Sequence, residues 1–336
     1  MTHRLREDPA SLDRYVARVS DHTSIGRTQL EKDFWLTEAL RGIVATAEHA
    51  GFPVFLKGGT SLSKVFGIIE RFSEDVDVLV GLPLTDALMS ARRRDAVLRE
   101  LVAGAVTATG LTASTDPEAT RKGEKRAAHL HRSLETSGVA AAWTLPPLRP
   151  EGVLVELGRW GGSQPHVLAT IRSLLAEHAH AAGLGPFEEQ EPILMDVVEP
   201  VRTAVEKLSL LHSAGRAADE RRRRGVARHY YDVWCLLQHP ATAEALTRPS
   251  LVAALAEEVL LQTLAVTPAA HREAVHERPV EGFSSSSAFD ASDSQLAATR
   301  DAYETIVLGE LIWPTARSSP SFEACCRAVR EFPGGL

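Results

Sequence analysis

Residues 55–80 read FLKGGTSLSKVFGIIERFSEDVDVLV, and this stretch decides the fold. The apolar residues before Lys57 predict a buried strand. The pair Gly58–Gly59 then removes side chains where the backbone turns and where a phosphate can approach its amides. The segment Asp75–Val80 has the composition of a second strand. This order predicts a phosphate site next to an acidic strand.

The segment between the two strands predicts a helix. Four apolar residues recur at i, i+3, i+4 and i+7 and so share one face: Leu62, Val65, Phe66 and Ile69. Thr60 and Ser61 are expected to cap this helix, whose N-terminus then points at the glycines. Unbonded amides and the positive end of the helix dipole favour an anion there, and Lys64 adds a full charge. The expected ligand is the triphosphate of an NTP, held by the turn and the start of the helix: Lys57, Gly58, Gly59, Thr60, Ser61 and Lys64.

Asp75 and Asp77 are the expected metal ligands. Residues two apart on a strand face the same way, so both carboxylates project together while Val76 and Val78 point into the core. Magnesium prefers hard oxygen ligands, and a pair of ions stabilises both the entering and the leaving oxygen of a displacement. We expect two Mg²⁺ ions, with Mn²⁺ as a substitute; the alternative is a strand edge with two solvated acids. Ser73 is either a turn residue or a phosphate contact.

Several motifs together resemble the signature of a known family. They are EKDFWL at 31–36, GGT at 58–60, RFSEDVD at 71–77, AVEKLSLL around Lys207 and ARHYYDVWCLL around Asp232. These motifs resemble the polymerase-β-like nucleotidyltransferases, and specifically the AbiEii/AbiGii-type toxins, which include the MenT toxins. The resemblance covers residues from about 25 to 240, and the rest of the chain matches only loosely.

This resemblance implies both a fold and a reaction. The implied fold is α+β, with a polymerase-β-like nucleotidyltransferase core that carries a small mixed sheet, followed by a mainly helical C-terminal half. The implied reaction transfers a nucleoside monophosphate from an NTP to an acceptor, expected to be the 3′ end of tRNA, which blocks translation. A cognate antitoxin protein is the expected partner. The alternatives are an antibiotic or protein nucleotidyltransferase, and a noncatalytic module that binds an NTP or a partner.

The resemblance also assigns roles to Lys207 and Asp232. Lys207 stands on the flank of an apolar helix face, where a lysine ordinarily extends to water. The family match instead implies that it binds the triphosphate or offsets charge on the transferred phosphoryl group. Asp232 lies four residues after Arg228, and the two residues would form an ordinary helix pair worth about 0.3 kcal/mol. The family match implies that Asp232 faces the site and orients Lys207 or the acceptor.

Glu156 is the candidate for a third metal ligand. It ends the apolar run VLVE at 153–156, where a carboxylate is costly unless it is paired or bound to a metal. The alternative is a glutamate at the surface end of a strand, next to Gly158.

A run of arginines is the candidate for contact with RNA. Residues 216–228 contain six arginines, of which five are the expected RNA contacts: Arg221, Arg222, Arg223, Arg224 and Arg228. Such a cluster can neutralise several phosphates and makes affinity fall steeply with salt. The alternative is a solvated connection between helices that Asp219 and Glu220 balance.

Composition and length bound the remaining expectations. The 336 residues, of which 44% are hydrophobic, predict a sizeable core in two domains, 1–185 and 186–336, with a helical cap to about residue 50. The hydrophilic stretch 115–137 predicts a loop or an insertion. The net charge of −7 makes any nucleic-acid contact local.

The chain is expected to be cytoplasmic and without a membrane segment. It has no apolar run long enough to span a bilayer, and its start, MTHRLREDPASLDRY, has no apolar centre. Three cysteines are too few and too widely spaced for a disulfide framework, so free buried thiols are predicted.

Overall fold

The chain forms two compact units. The computed structural model describes residues 3–73, 75–83, 85–131, 152–215, 219–267, 272–273, 275–333 and 336. The first, called the N-terminal unit, comprises Met1–Val65, Phe72–Arg159 and His166–Val197. The second, called the C-terminal unit, comprises Phe66–Arg71, Trp160–Pro165 and Val198–Leu336. A last sheet strand, Ile193–Val198, follows the boundary that the sequence predicts at residue 185.

The N-terminal unit is built on a mixed sheet. Among the described residues seven strands form it: β1 Val54–Lys57, β2 Asp75–Val80, β3 Thr112–Thr115, β4 Lys125–His131, β5 Val153–Gly158, β6 His166–Ile171 and β7 Ile193–Val198. Their order is β3-β4-β5-β2-β1-β7-β6. β2 runs antiparallel to β1 and parallel to β5, which places the predicted acidic strand in the middle of the sheet. The predicted mixed sheet is confirmed.

Helices cover this sheet: α1 Pro9–Thr23, α2 Arg27–Ala50, α3 Gly58–Lys64, α4 Ala91–Thr109 and α5 Leu174–His178. The first two lie in the region to about residue 50 where the sequence predicts a helical cap. α2 and α4 approach each other closely at Gly42. A Cβ on Gly42 would lie only 2.3 Å from the carbonyl oxygen of Gly104. Two glycines at one crossing let the helix backbones approach each other.

Two predictions about local structure were wrong. The predicted helix over Leu62–Ile69 ends at Lys64, because the chain turns at Gly67, whose φ is +59°, and continues into the C-terminal unit. The predicted loop at 115–137 contains β4, which pairs with both β3 and β5. The end of that stretch, residues 132–137, lies outside the described residues.

The C-terminal unit is mainly helical, as predicted. Its helices are α6 Pro200–Gly215, α7 Glu220–Gly225, α8 Arg228–Gln238, α9 Pro240–Leu246, α10 Pro249–Val266, α11 Ala297–Ala302 and α12 Phe322–Arg330, with a π-helix at Tyr303–Leu311. α8 packs against α6 and α12, and the core between them contains buried aromatic rings. All three cysteines are free and buried, as predicted. Across the described residues, no helix combines the length and the apolarity that crossing a membrane requires.

Candidate active site

β2 presents the two predicted metal ligands at the centre of the sheet. Val76 and Val78 are buried in the core, and Asp75 and Asp77 take the alternate positions on the opposite face. Asp75 is 8% exposed and Asp77 is half-buried. Glu156 on β5 pairs in register with Asp77, so its carboxylate belongs to the same face. We call Asp75, Asp77 and Glu156 the acid row.

Electrostatics in the acid row are repulsive. Burial raises the pKa of Glu156, and the negative charges of Asp77 and Asp75 raise it further. The ammonium of Lys125 on β4 opposes this shift, because its Nζ lies 2.9 Å from Oε1 of Glu156. Glu156 is therefore held by a lysine rather than exposed at a strand end.

The glycine turn is shaped around Asp77. Gly58 has φ +74°, and a Cβ on it would lie 2.5 Å from Oδ2 of Asp77, so any side chain there would displace the carboxylate. Lys57 is the cross-strand partner of Asp77, and Gly59 is the half-buried second residue of α3. The predicted phosphate turn therefore lies directly beside a predicted metal ligand.

Thr60 and Ser61 are buried inside the first turn of α3 and do not cap it, because the helix already begins at Gly58. The hydroxyl of Thr60 donates to the carbonyl oxygen of Asp75 and lies 3.0 Å from Oγ of Ser73. The Ser61 hydroxyl donates to the carbonyl oxygen of Gly58 at 2.9 Å. These bonds hold the turn against β2. Glu74, within the same motif, lies outside the described residues.

Lys64 is engaged away from the glycine turn. It is the last residue of α3, and its ammonium lies 2.5 Å from Oδ1 of Asp33 and donates to the carbonyl oxygen of Arg172 at 3.1 Å. Asp33, from the EKDFWL motif, also accepts a hydrogen bond from the amide of Leu174 at 2.6 Å. Lys64 thus ties helices together, and the expected extra charge for a triphosphate is already paired.

The acid row suits a magnesium ion that is shared with a substrate. No three His, Cys, Asp or Glu side chains within the described ranges converge to hold an ion by themselves. Protein-bound Mg²⁺ typically uses one or two carboxylates and completes its octahedron with water and substrate phosphates. Asp75 and Asp77 match that donor set, while Lys125 already occupies Glu156.

The C-terminal unit contains a buried cluster of four charged or titratable side chains, Arg71, Lys207, His229 and Asp232, which we call the buried quartet. Arg71 holds Asp232 in a two-point contact, with Nε 2.6 Å from Oδ1 and Nη2 2.8 Å from Oδ2. The ammonium of Lys207 lies 2.8 Å from Oδ2 of Asp232 and 3.0 Å from Nδ1 of His229. Lys207 is only 6% exposed, so the alternative of a lysine that extends to water is wrong.

Charge balance sets the protonation of the buried quartet. Burial alone would raise the pKa of Asp232, but the positive charges of Arg71 and Lys207 outweigh it and hold this pKa well below its usual range. Burial lowers the pKa of Lys207, and Asp232 opposes that shift. Burial and the charge of Lys207 lower the pKa of His229 to about 3. His229 is therefore neutral at pH 7 and accepts a hydrogen bond from Lys207 at Nδ1.

The arginines of the predicted cluster differ in exposure, and one of them forms an ion pair within the protein. Arg221 on α7 is exposed, whereas Arg222 and Arg223 are half-buried. Nη1 of Arg224 lies 2.7 Å from Oδ2 of Asp301, and Arg228 begins α8. Arg216 lies outside the described residues. The cluster offers positive charge at the surface, and its contact with RNA stays a prediction.

Sequence reasoning missed three residues of these sites. Arg71 contacts Asp232 across 161 positions of sequence, a distance that no periodicity reveals. His229 stands three residues before Asp232 on one helix, and that i,i+3 spacing was the available signal. Lys125 begins β4, a strand whose hydrophilic sequence is typical of a loop.

Paired acids on a central strand of a mixed sheet, a glycine turn beside them and a mainly helical second half match the fold class that the sequence predicts. The family model described as "Nucleotidyl transferase AbiEii toxin, Type IV TA system" matches residues 38–309, so the chain belongs to that family.

Among solved structures, one match is MenT4, a nucleotidyltransferase toxin from Mycobacterium tuberculosis H37Rv. It is 19% identical to this chain, and the match covers 92% of this chain and 93% of the other, with a TM-score of 0.35. A search of curated proteins found no match.

Proposed function

We propose that this toxin-family nucleotidyltransferase transfers a nucleoside monophosphate from an NTP to the 3′ end of tRNA and thereby blocks translation. The observation that carries the proposal is the acid row beside the glycine turn, where Asp77 lies against Gly58 and Thr60 is bonded to the backbone of Asp75. A cognate antitoxin protein is the proposed partner, as membership of a toxin–antitoxin family implies.

In the proposed reaction the terminal hydroxyl of the acceptor attacks the α-phosphorus of the NTP. A new P–O bond forms, the bond from the α-phosphorus to the bridging oxygen breaks, pyrophosphate leaves and the hydroxyl proton passes to solvent. Asp75 and Asp77 would hold Mg²⁺, or Mn²⁺ in its place. The bound ion supplies charge neutralisation and orients the phosphate oxygens. The chain's own part is to keep both carboxylates and the turn amides in fixed positions.

The remaining site residues have supporting roles in this proposal. The amides of Gly58 and Gly59, within the first turn of α3, are proposed to bind triphosphate oxygens. Lys57 and Ser73 flank that turn and are proposed as phosphate contacts. Lys207 would offset negative charge on the transferred group, a form of stabilisation that dominates phosphoryl transfer. Asp232 would orient Lys207, which it contacts at 2.8 Å.

The proposal is tested by incubating the purified protein with total tRNA, Mg²⁺ and each of the four α-labelled NTPs, followed by a denaturing gel. We expect label on tRNA with at least one NTP, and a loss of at least about a thousandfold in Asp75→Ala. Asp13→Ala, which removes an exposed aspartate of α1, is the matched control and should retain activity.

Other outcomes would identify the alternatives. Label on a protein or a small molecule, with tRNA unlabelled, would replace the acceptor. NTP binding without label on any acceptor would indicate a noncatalytic module. Equal labelling by Asp75→Ala and the wild type would remove the acid row from the reaction.

A further inference from the structure

A cavity lies in the C-terminal unit, beside α8 and the segment Phe66–Arg71. The cavity has a volume of about 420 Å³. Ligand cavities in proteins commonly span about 300–1,000 Å³, so this one has room for a single nucleotide. The part of its lining that carries the argument is Gly67, Glu70, Tyr231, Trp234, Gln238 and Arg317. None of these residues belongs to the buried quartet or the acid row.

An aromatic wall gives the cavity a surface for a flat ring. Trp234 is half-buried, so part of its indole remains accessible at the cavity. Tyr231, one turn earlier on α8, is buried, and its hydroxyl accepts a hydrogen bond from the amide of Glu70 at 3.3 Å. Tyr231 is therefore fixed in the wall, while Trp234 is available to stack. Stacking on an aromatic ring is the common way in which proteins hold an unpaired base.

Polar groups at the rim complement this wall. The side chain of Arg317 is 80% exposed, yet Glu70 holds it through Nε at 2.9 Å and through its backbone amide at 2.8 Å. A guanidinium held in this way has outward-facing donors for phosphate or base oxygens. Gln238 adds an exposed amide, which can both donate to and accept from a base edge.

Two residues of the cavity lining are neighbours in sequence of residues of the buried quartet. Tyr231 in the cavity wall directly precedes Asp232 on α8, and Glu70 directly precedes Arg71. The same backbone therefore fixes the cavity wall and the contact between Arg71 and Asp232. A nucleotide in the cavity would lie next to the elements that hold Lys207.

We infer that this cavity binds one unpaired nucleotide near the 3′ end of the acceptor RNA, with its base stacked on Trp234 and its phosphate near Arg317. This inference rests on the proposed function, because it assigns the acceptor end of that reaction. Trp234 is a positioning residue in this account: it holds the RNA and touches no reacting atom.

The test measures RNA binding by fluorescence anisotropy with two labelled stem-loops, one with a four-nucleotide single-stranded 3′ overhang and one with a blunt end. Trp234→Ala should weaken binding of the overhang RNA at least about tenfold and leave the blunt RNA unchanged. Trp234→Phe keeps a stacking ring and should restore most of the affinity. An equal effect on both RNAs, or no effect on either, would overturn the inference.

Two further measurements distinguish a loss of RNA binding from a loss of folding and from a change in NTP binding. Thermal unfolding reports whether Trp234→Ala still folds; if it does not, Arg317→Gln, a change at an exposed side chain, carries the same comparison with an expected loss of about threefold or more. The KM for the NTP should not change in either variant. A raised KM for the NTP with unchanged RNA binding would assign the cavity to the donor base and overturn the inference.

The inference and the proposed function fail in different ways. If the wild type binds the overhang RNA selectively through Trp234 but labels no tRNA, the cavity stands and the proposed reaction fails. If the wild type labels tRNA while Trp234→Ala binds and labels it equally well, the reaction stands and the cavity inference fails.

Discussion

The acid row and the buried quartet use carboxylates in opposite ways. In the acid row, like charges gather on one face of the sheet, and the pKa of Glu156 is raised by burial and by Asp77. In the buried quartet, one carboxylate is shared by two cations, and the pKa of Asp232 is held well below its usual range. The acid row is thus suited to an external cation, whereas the quartet balances its charge within the protein.

The acid row is therefore expected to bind a metal ion, whereas the buried quartet is expected to hold side chains in position. A group of like charges lowers its electrostatic energy when a divalent ion arrives, so its strongest response should be to metal. A buried ion pair responds most to the loss of one partner, because the other charge is then left in a low-dielectric interior. Variants in the two regions should therefore differ in which quantity they change.

The largest expected effect on stability is in the buried quartet. Arg71→Met should lower the free energy of unfolding by about 3–5 kcal/mol, because it removes the two-point partner of fully buried Asp232. Lys207→Met should change it by less than about 1 kcal/mol, since burial already disfavours the ammonium and Arg71 still holds Asp232. Urea unfolding monitored by circular dichroism measures both changes.

The variants Arg71→Met and Lys207→Met also distinguish an effect on stability from an effect on catalysis. Lys207→Met should reduce transfer at least about a hundredfold while the protein stays folded. Arg221→Met, which removes an exposed arginine of α7, is the matched control for stability. Equal destabilisation by Arg71→Met and Lys207→Met would mean that the quartet is a single structural network, and the contrast with the acid row would lose its functional meaning.

A smaller effect concerns the pH dependence of stability. Burial and the charge of Lys207 lower the pKa of His229 from its ordinary value of 6.5 to about 3 in the folded protein. The unfolded chain therefore binds more protons between these values. The free energy of unfolding should fall as the pH drops below about 6.5, by up to about 1.4 kcal/mol per pH unit from this group. Urea titrations at pH 7, 6 and 5 measure the slope.

His229→Asn isolates this contribution, because the amide oxygen of asparagine can accept the hydrogen bond from Lys207 but does not titrate. Other groups titrate in both proteins, so the difference between the two slopes belongs to His229. The variant should lose less stability than the wild type between pH 7 and pH 5. Parallel slopes would show that His229 is protonated without cost in the folded protein.

The smallest effect tests the acid row. Lys125→Gln removes the ammonium that lies 2.9 Å from Glu156, so the row becomes more negative. Its affinity for Mn²⁺ without nucleotide should rise about threefold, a modest change because the lysine is partly solvated. Isothermal titration calorimetry measures it, with Lys122→Gln, an exposed neighbour, as the control. Weaker binding in Lys125→Gln would mean that the lysine organises the acids rather than competes with a cation.

Local patterns predicted the parts of the fold that depend on neighbours in sequence. Alternation in DVDVLV correctly placed Val76 and Val78 in the core and the two aspartates on the other face. The glycine pair correctly marked the turn, since Gly58 has a positive φ. The length of α3 was predicted wrongly, because the spacing of apolar residues does not show which of the two units each residue packs in. Ile69 is buried, but it belongs to the C-terminal unit.

Contacts between distant residues were beyond the sequence. The salt bridge of Lys64 with Asp33 and that of Arg71 with Asp232 arise from packing of separate elements. Asp33, Arg71 and Asp232 lie in motifs that the sequence reveals, but a motif does not show which of its side chains are buried. The family resemblance identified Lys207 and Asp232, and the structure adds that they contact each other directly.

Transfer of a nucleoside monophosphate to the 3′ end of tRNA can be tested at the acceptor hydroxyl itself. Purified tRNA, intact or with its terminal ribose oxidised by periodate, is incubated with the protein, Mg²⁺ and the preferred α-labelled NTP, and the 3′-terminal fragments are weighed by mass spectrometry. We expect a mass gain of at least one nucleoside monophosphate on intact tRNA and none on oxidised tRNA. Equal modification of both RNAs, or an unchanged 3′ fragment in the presence of transferred label, would contradict it.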